Sequence, residues 1–191
     1  MKKIFFTIAL SIFTSIMVKA QTNIVDVNSG ISLVDSPSGT YVKDLNNTFT
    51  PYIGSWKYQN GNEILIIKLE KVTKYYDSKY GSYEDHIKGN YSYTTNNGAT
   101  FVTNTIVSNL SNTDPNINSF YSPGPYSTHL DMSFTDEVRN VRCDAIFTFL
   151  PSSTNQLNLK VNNRSRGYIY PEVPPSNIIS IPNNVVLTKQ P

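Results

Sequence analysis

The sequence predicts an all-β domain of about eight antiparallel strands, closed as a lipocalin-like up-and-down barrel. Residues that favour pleated strands are plentiful, with 13 Tyr and 9 Phe among 191 residues. Apolar and polar residues alternate with a period of two over several segments, and Asn-Gly pairs separate some of them at hairpin spacing. Sequential hairpins suit a closed meander, which leaves no exposed sheet edge, while a two-sheet β-sandwich is the alternative.

The first 20 residues have the order of a secretory signal peptide. Lys2 and Lys3 precede an apolar run from Ile4 to Val18, and Val18-Lys19-Ala20 supplies a small-residue cleavage pattern. The run of about 15 residues is shorter than the roughly 20 needed to span a bilayer. We therefore expect cleavage after Ala20 and a secreted protein, periplasmic or extracellular, with no membrane attachment after cleavage.

The charge of the expected mature chain excludes several classes of partner. The full chain has a formal charge of +2, and removing residues 1–20 takes away three lysines, which leaves 13 basic against 14 acidic side chains. A nearly neutral protein gives no electrostatic reason to bind nucleic acid or an anionic membrane. The single cysteine, Cys143, forms no internal disulfide, so stability must come from packing.

The expected mature chain divides into an arm and a barrel domain. Residues 21–50 read as an extended N-terminal arm, with a short helical turn from Asp44 to Phe49 that Asp44 caps and Pro51 stops. Residues 51–191 form the predicted β-barrel domain.

The first predicted hairpin covers residues 52–72. With Asn60-Gly61 as a two-residue loop, Trp56 faces Leu65 and Gly54 faces Ile67, so one face is apolar. A slip by one residue would place polar side chains on that face. We therefore expect Gly54 and Trp56 to be structural residues, with Trp56 buried.

The second predicted hairpin supplies the candidate ligand-binding residues. A Tyr-rich loop over residues 75–85 leads into it, and its turn is Asn97-Gly98. Pairing outward from that turn sets Tyr93 against Val102 and Tyr91 against Asn104. Tyr91, Tyr93 and Asn104 would then share the inward face, either as the wall of a ligand cavity or as an ordinary core with polar tips.

A third hairpin and two further strands complete the predicted barrel. With Thr135-Asp136 as the loop, Leu130 pairs with Val141, and the apolar residues from 130 to 149 share one face. Shifting by one residue would place His129 opposite Cys143 but would split that apolar set. Residues 157–161 and 185–187 supply the seventh and eighth strands.

Two resemblances follow from these motifs. Gly54-Ser55-Trp56 resembles the Gly-x-Trp signature that lipocalins carry on their first barrel strand, where the Trp packs against a basic residue near the last strands; the resemblance implies that role for Arg164 or Arg166. The mature chain also looks like an uncharacterised family of secreted bacterial domains of unknown function. The segments that carry this second resemblance are Gly39-Thr40-Tyr41-Val42-Lys43-Asp44-Leu45-Asn46-Asn47, Pro51-Tyr52-Ile53-Gly54-Ser55-Trp56 and Pro182-Asn183-Asn184-Val185-Val186-Leu187-Thr188-Lys189.

Motifs for catalysis and for metal binding are missing. There is no Gly-x-Ser-x-Gly, no Ser-x-x-Lys and no phosphate-binding Gly-rich loop. A Cys143–His129 dyad falls on opposite faces in the preferred register. Glu84-Asp85-His86 is the densest group of potential metal ligands, and we interpret it as a solvated loop entering a strand. We expect no catalytic residue, no metal and no cofactor.

The sequence therefore favours a non-enzymatic exported binding protein that holds a small apolar ligand inside the barrel, since eight strands enclose about enough room for one. The alternative is a surface interaction or structural protein that binds a macromolecule through its Tyr-rich loops. An internal cavity of about 300 Å³ or more is needed by the first function and not by the second.

Overall fold

A computed structural model describes residues 23–31, 33–107, 119–126, 128–163 and 179–191. The predicted signal peptide, Arg164 and Arg166 lie outside the described residues. The strands are β1 (Ile24–Asp26), β2 (Tyr41–Lys43), β3 (Gly54–Asn60), β4 (Glu63–Asp77), β5 (Ser82–Thr94), β6 (Thr103–Asn104), β7 (Phe120–Ser122), β8 (Leu130–Asp136), β9 (Val141–Phe149), β10 (Gln156–Asn163) and β11 (Val185–Lys189). Two 3-10 turns cover Val27–Ser29 and Leu33–Asp35. Among the described residues, no helix is long and apolar enough to cross a membrane.

Eight strands close into an antiparallel up-and-down barrel, as the sequence predicts. Going round it, the neighbours are β3, β4, β5, β7, β8, β9, β10 and β11, and β11 returns to pair with β3. The strands therefore follow one another round the barrel in chain order, apart from β6. The short β6 pairs only with β5.

Three short strands pair along the same edge of strand β5. The parallel strand β2 pairs with its start, at Tyr83 and Glu84. Strand β7 pairs with its middle, from Ile87 to Gly89, and β6 pairs near its end. Its other edge is paired with β4 along most of its length.

The first hairpin has the predicted faces but not the predicted loop. Asn60 pairs with Glu63, so the loop is Gly61-Asn62, and Trp56 pairs with Ile67 rather than Leu65. Gly61 takes a positive φ of 55° at the first loop position, and the Asn62 carbonyl accepts a hydrogen bond from the Asn97 amide. A shift by two residues preserves which side chains point inward, so the apolar face is the predicted one.

The second hairpin differs from the prediction more strongly. Tyr93 pairs with Thr103, so the predicted register is wrong by one residue. Asn96 and Thr94 accept several hydrogen bonds from the backbone of the turn, which widens it up to residue 102. The strand predicted to follow the Asn97-Gly98 turn shrinks to β6, and β7 takes the place beside β5.

The third hairpin also turns later than predicted. Asp136 pairs with Val141, so residues 137–140 form the loop and Leu130 pairs with Phe147. The buried Asp136 carboxylate accepts hydrogen bonds from the Val138 and Arg139 amides, which stabilises the longer loop. The difference from the predicted pairing is an even number of residues, so the predicted apolar face is retained.

The predicted Tyr-rich loop is mostly strand. Strand β4 continues to Asp77 and β5 begins at Ser82, so only residues 78–81 connect them. A bulge lies between Val72 and Tyr75, where Lys74 has a φ of 53°. The Lys74 amide donates to the Asp85 carboxylate at 2.9 Å, so a buried side chain replaces the missing ladder bond.

The N-terminal arm is attached to the barrel by a buried polar cluster. The predicted helical turn at Asp44 is absent, although Asp44 accepts from the Thr48 amide as a capping residue does. Lys71 pairs with the Asp44 carboxylate at 2.9 Å and with Asp85 at 3.5 Å. The Tyr41 hydroxyl donates to Asp85 at 2.6 Å. The arm is therefore part of the folded domain.

Large side chains from all the barrel strands fill the described interior. The members with no measurable exposure include Trp56, Leu65, Ile67, Leu69, Ile87, Tyr91, Phe120, Leu130, Cys143, Phe147, Leu157, Leu159 and Leu187. Phe120 stacks on Phe134 with ring centroids 4.6 Å apart, and Tyr91 meets Phe134 edge to face. The centre of the barrel is a packed core.

Candidate binding cleft

A cleft opens outside the barrel, at the edge of β5. Neither β2 nor β7 pairs with Asp85 or His86, because β2 pairs with β5 no further than Glu84 and the pairing of β7 with β5 starts at Ile87. Ser122 is followed by Pro123-Gly124-Pro125, and proline has no N–H with which to continue the ladder. The two short strands β2 and β7 are therefore separated beside Asp85 and His86. We call the space between the arm and the barrel the arm–barrel cleft.

The arm–barrel cleft has a volume of about 1190 Å³. One wall comes from the arm, including Ile31, Leu33 and Val34, and the others come from the barrel strands and the segment after β7. Its aromatic lining residues are Tyr52, Tyr80, Tyr121, Tyr126 and Phe149, and its acidic ones are Asp77, Glu84, Asp131 and Asp144.

A hydrogen-bonded group of three side chains stands at the β5 wall of the cleft. The Tyr121 hydroxyl donates to Glu84 Oε1 at 2.8 Å, and the same oxygen lies 3.0 Å from His86 Nδ1. A carboxylate only accepts, so His86 Nδ1 carries the proton. His86 is 1% exposed, and its Nε2 has no hydrogen-bond partner among the described residues. In the neutral imidazole this Nε2 is a free acceptor.

The Tyr121 phenol lies in a negative field. Burial raises its pKa well above the ordinary value for tyrosine, and the charges of Glu84 and Asp77 raise it further. The hydroxyl therefore stays protonated and remains a donor to Glu84. The ring of Tyr121 also lies 5.1 Å from the His86 ring, and Tyr75 contacts the other side of this histidine at 5.2 Å.

The sequence does not predict this group, because Glu84-Asp85-His86 reads there as a solvated loop that enters a strand. All three side chains are buried on β5. The pairing of β5 with an arm strand some forty residues earlier brings them inside the structure. The alternation of Glu84, His86 and Lys88 on one face was the available signal. Among the described residues, no group of three or more potential ligands could hold a metal ion.

The structure separates the three predicted ligand-binding residues. Tyr91 and Tyr93 point inward, but Asn104 is exposed and pairs with Ser92. The Tyr91 hydroxyl accepts from the Glu137 amide at 3.1 Å, and the Tyr93 hydroxyl donates to Glu63 at 3.0 Å. Burial raises the pKa of Tyr91 to about 12 and, with the Glu63 hydrogen bond, that of Tyr93 to about 12.

The predicted structural pair lies at one end of the barrel. Trp56 is fully buried, and its indole N–H donates to the Tyr52 carbonyl at 2.7 Å. Lys189 on the last strand places its ammonium 5.2 Å from the Trp56 ring centroid. Gly54 has a φ of 127°, and a Cβ there would lie 3.1 Å from the Lys189 Cε. The basic partner of Trp56 in the described structure is therefore Lys189.

The thiol and the exposed histidine do not meet. Cys143 is fully buried on the inward face of β9. His129 lies 3.5 Å from the Asp131 carboxylate on the outer side of the barrel and stacks on Tyr126. The register of β8 and β9 pairs Cys143 with Phe134, so the two residues form no dyad.

The closed meander with Gly-x-Trp on its first barrel strand and a basic side chain over that Trp defines a lipocalin-like up-and-down barrel. The sequence matches the model described as "Family of unknown function (DUF6705)" over residues 1–190, and the chain belongs to this family. No curated protein and no solved structure shows significant similarity to the chain.

Proposed function

We propose that the protein is an exported, non-enzymatic binding protein that holds a small, mainly apolar ligand in the arm–barrel cleft. The observation that carries the proposal is a cleft of about 1190 Å³ beside a barrel whose described interior is filled by side chains. Ligand sites in proteins are typically concave, largely apolar and about 300–1,000 Å³ in volume. The cleft is slightly larger than this range and is partly open to solvent.

The packed interior is the reason for placing the ligand outside the barrel. Phe120 contacts both Phe134 and Phe147 in the barrel interior, and Tyr91 contacts Phe120 and Phe134 edge to face. A ligand there would have to displace several buried aromatic rings. Each such ring contributes about 3–5 kcal/mol to stability through its packing.

The lining of the cleft supports an apolar ligand with a flat or extended body. Leu33 and Val34 of the arm line the cleft together with Tyr121 and Tyr126 of the segment around β7. Val34 is 64% exposed and Tyr126 is 62% exposed, so their apolar surface is open to a ligand. A ligand between them would be stabilised by about 25 cal/mol for each Å² of apolar surface that it buries.

Binding of an uncharged fluorescent probe tests the proposal. N-phenyl-1-naphthylamine is titrated into the protein lacking residues 1–20, and we expect a saturable increase in emission with one site per chain. Tyr126→Ala should weaken binding about tenfold, because it removes one aromatic wall. Tyr76→Ala is the matched control, since Tyr76 is exposed but does not line the cleft. Equal affinities in both variants, or no saturable binding, would contradict the proposal.

Export rests on the order of charged, apolar and small residues in the first 20 positions. N-terminal sequencing of material collected outside the cytoplasm should begin at Gln21. A protein that keeps Met1 and stays in the cell would contradict this part of the proposal.

The second candidate is an interaction protein that binds a macromolecule on the same side of the barrel. It is favoured by the solid barrel interior and by the exposed Ile31, Val34 and Tyr126 around the cleft. Failure of the small probe to bind, together with loss of a macromolecular complex in Tyr126→Ala, would favour this candidate.

A further inference from the structure

We infer that Gly124 sets the width of the arm–barrel cleft and thereby selects flat or unbranched ligands over bulky ones. The inference rests on the proposed function and names a specificity-determining residue within it. It follows from the close approach of Gly124 to Val27 of the arm, since both residues line the cleft.

Glycine is required at position 124 by space and not by backbone conformation. Gly124 does not have a positive φ, so its backbone would accept a side chain. A Cβ at this position would lie 2.8 Å from Val27 Cγ2 and 3.5 Å from Phe49 Cε1. The first distance is shorter than the separation of about 3.5–4.0 Å that is usual between carbon atoms in contact. The arm therefore lies as close to the segment after β7 as a glycine allows.

The backbone around Gly124 is held in place. The Ser122 hydroxyl donates to the Gly124 carbonyl at 3.0 Å and accepts from the Gly124 amide at 3.2 Å. Pro123 and Pro125 on either side each have a fixed φ. Phe49, the other neighbour of Gly124, is fully buried in the core. A side chain added at position 124 is therefore not accommodated by movement of this segment.

The arm is the side of the contact that can move. Val27 begins the 3-10 turn Val27–Ser29 and is only partly buried. Its β-branched side chain has little rotamer freedom with which to avoid a clash. A methyl group at Gly124 would therefore displace the turn by about 1 Å, the difference between the close approach and an ordinary contact. Asn28 and Ile31 next to Val27 also line the cleft, so this displacement would widen it.

The width of the cleft decides which ligand body can contact both walls. Leu33 and Val34 line it from the arm, and Tyr126 lines it from the segment after β7. A flat or unbranched ligand loses contact with one wall when the cleft widens, and a gap of about 0.5–1 Å already removes roughly a quarter to a half of the dispersion attraction on that side. A bulky ligand gains room from the same change. Gly124 therefore favours thin ligands.

Two apolar probes of different thickness test the inference. N-phenyl-1-naphthylamine, which is flat, is titrated into the protein lacking residues 1–20, and adamantanol, which is compact and bulky, is measured by displacement of the first probe. We expect Gly124→Ala to weaken binding of the flat probe about three- to tenfold and to strengthen binding of adamantanol, so that the ratio of the two affinities falls about tenfold.

Changes at Val27 separate the width of the cleft from a loss of structure. Val27→Ala removes the methyl group that the added Cβ would contact, so Gly124→Ala combined with Val27→Ala should give an affinity ratio within about twofold of that of Val27→Ala alone. Val27→Leu enlarges the same contact from the arm side and should lower the ratio as Gly124→Ala does. It provides the test if Gly124→Ala fails to fold.

Ala99→Val is the matched control, because it adds methyl groups at an exposed position outside the cleft and should leave both affinities unchanged.

The possible results distinguish this inference from the proposed function. If the flat probe binds with sensitivity to Tyr126→Ala, but neither Gly124→Ala nor Val27→Leu changes the affinity ratio by more than about twofold, the inference is wrong and the proposed function stands. Equal weakening of both probes in Gly124→Ala, without rescue by Val27→Ala, would show a purely structural role and overturn the inference in the same way. If neither probe binds saturably to the wild-type protein, both proposals fail.

Discussion

The two sides of strand β5 contrast sharply. Its inward side chains, such as Ile87 and Tyr91, belong to the packed core, and the polar tip of Tyr91 is bonded to the Glu137 amide. Its outward side chains Glu84 and His86 are also buried, but one imidazole nitrogen of His86 has no hydrogen-bond partner in the part of the chain that the structure describes. The contrast indicates that the barrel interior serves stability and that the polar chemistry lies on the outside, next to the arm.

The largest effect should come from the interior. Trp56→Ala should lower the free energy of unfolding by about 3–5 kcal/mol, because it leaves a cavity beside Phe149 and Lys189. This is a large part of the roughly 5–15 kcal/mol that stabilises a typical domain. Urea unfolding monitored by circular dichroism measures it. Trp56 emission in the wild-type protein should be blue-shifted and poorly quenched by iodide.

Val186→Ala is the control for that experiment, since Val186 is an exposed residue on the strand that also carries Lys189. It should change stability by less than about 0.5 kcal/mol. An emission maximum typical of water, together with unchanged stability of Trp56→Ala, would show that this end of the barrel is open.

The junction between arm and barrel should give the next largest effect. Asp44→Asn removes the charge that Lys71 pairs with and should cost about 1.5–3 kcal/mol. Burial opposes ionisation of Asp44, but Lys71 and the Thr48 hydrogen bonds lower its pKa below the ordinary value. The stabilisation is therefore present above the unfolded pKa of about 3.9 and is lost as the pH falls through the folded pKa.

Unfolding curves at several pH values test this direction of the pH dependence of stability. The stability difference between wild type and Asp44→Asn should be largest near neutral pH and should shrink below about pH 4. A difference that grows on acidification would show that Asp44 is not held as a carboxylate by Lys71.

The cleft wall should contribute less to stability. Tyr121→Phe removes one hydrogen bond to Glu84 and should cost about 1 kcal/mol. Thermal unfolding measures this effect. A loss of stability as large as that of Trp56→Ala would place Tyr121 in the main core.

The inward faces of the barrel strands could be predicted from the sequence more reliably than the strand registers. The period-two pattern predicted the inward faces of the first and third hairpins, because an even shift in register, as at Trp56 and at Leu130, leaves those faces intact. The odd shift at Tyr93 moved Asn104 to the outside and separated the predicted ligand-binding set. The length of each hairpin loop decided these registers. Loop length depends on hydrogen bonds such as those that the Asp136 carboxylate accepts, and the alternation of apolar and polar residues does not show them.

The cleft could not be predicted from the sequence. It requires the parallel pairing of Val42 with Glu84, and contacts this far apart in the chain leave no local pattern. One local signal is the Ser122-Pro123-Gly124-Pro125 segment, whose prolines cannot continue a strand ladder, and β7 ends there, where the cleft opens.

Photo-cross-linking tests most directly the claim that the ligand lies outside the barrel. An apolar alkyl probe with a photoreactive diazirine on its chain is bound and irradiated, and the labelled residues are located by peptide mass spectrometry. We expect labels on arm residues 33–34 and on residues 121–126, and their loss when excess N-phenyl-1-naphthylamine competes. Labels on interior residues such as Phe134 or Cys143, with none on the arm, would contradict the account and return the ligand to the centre of the barrel.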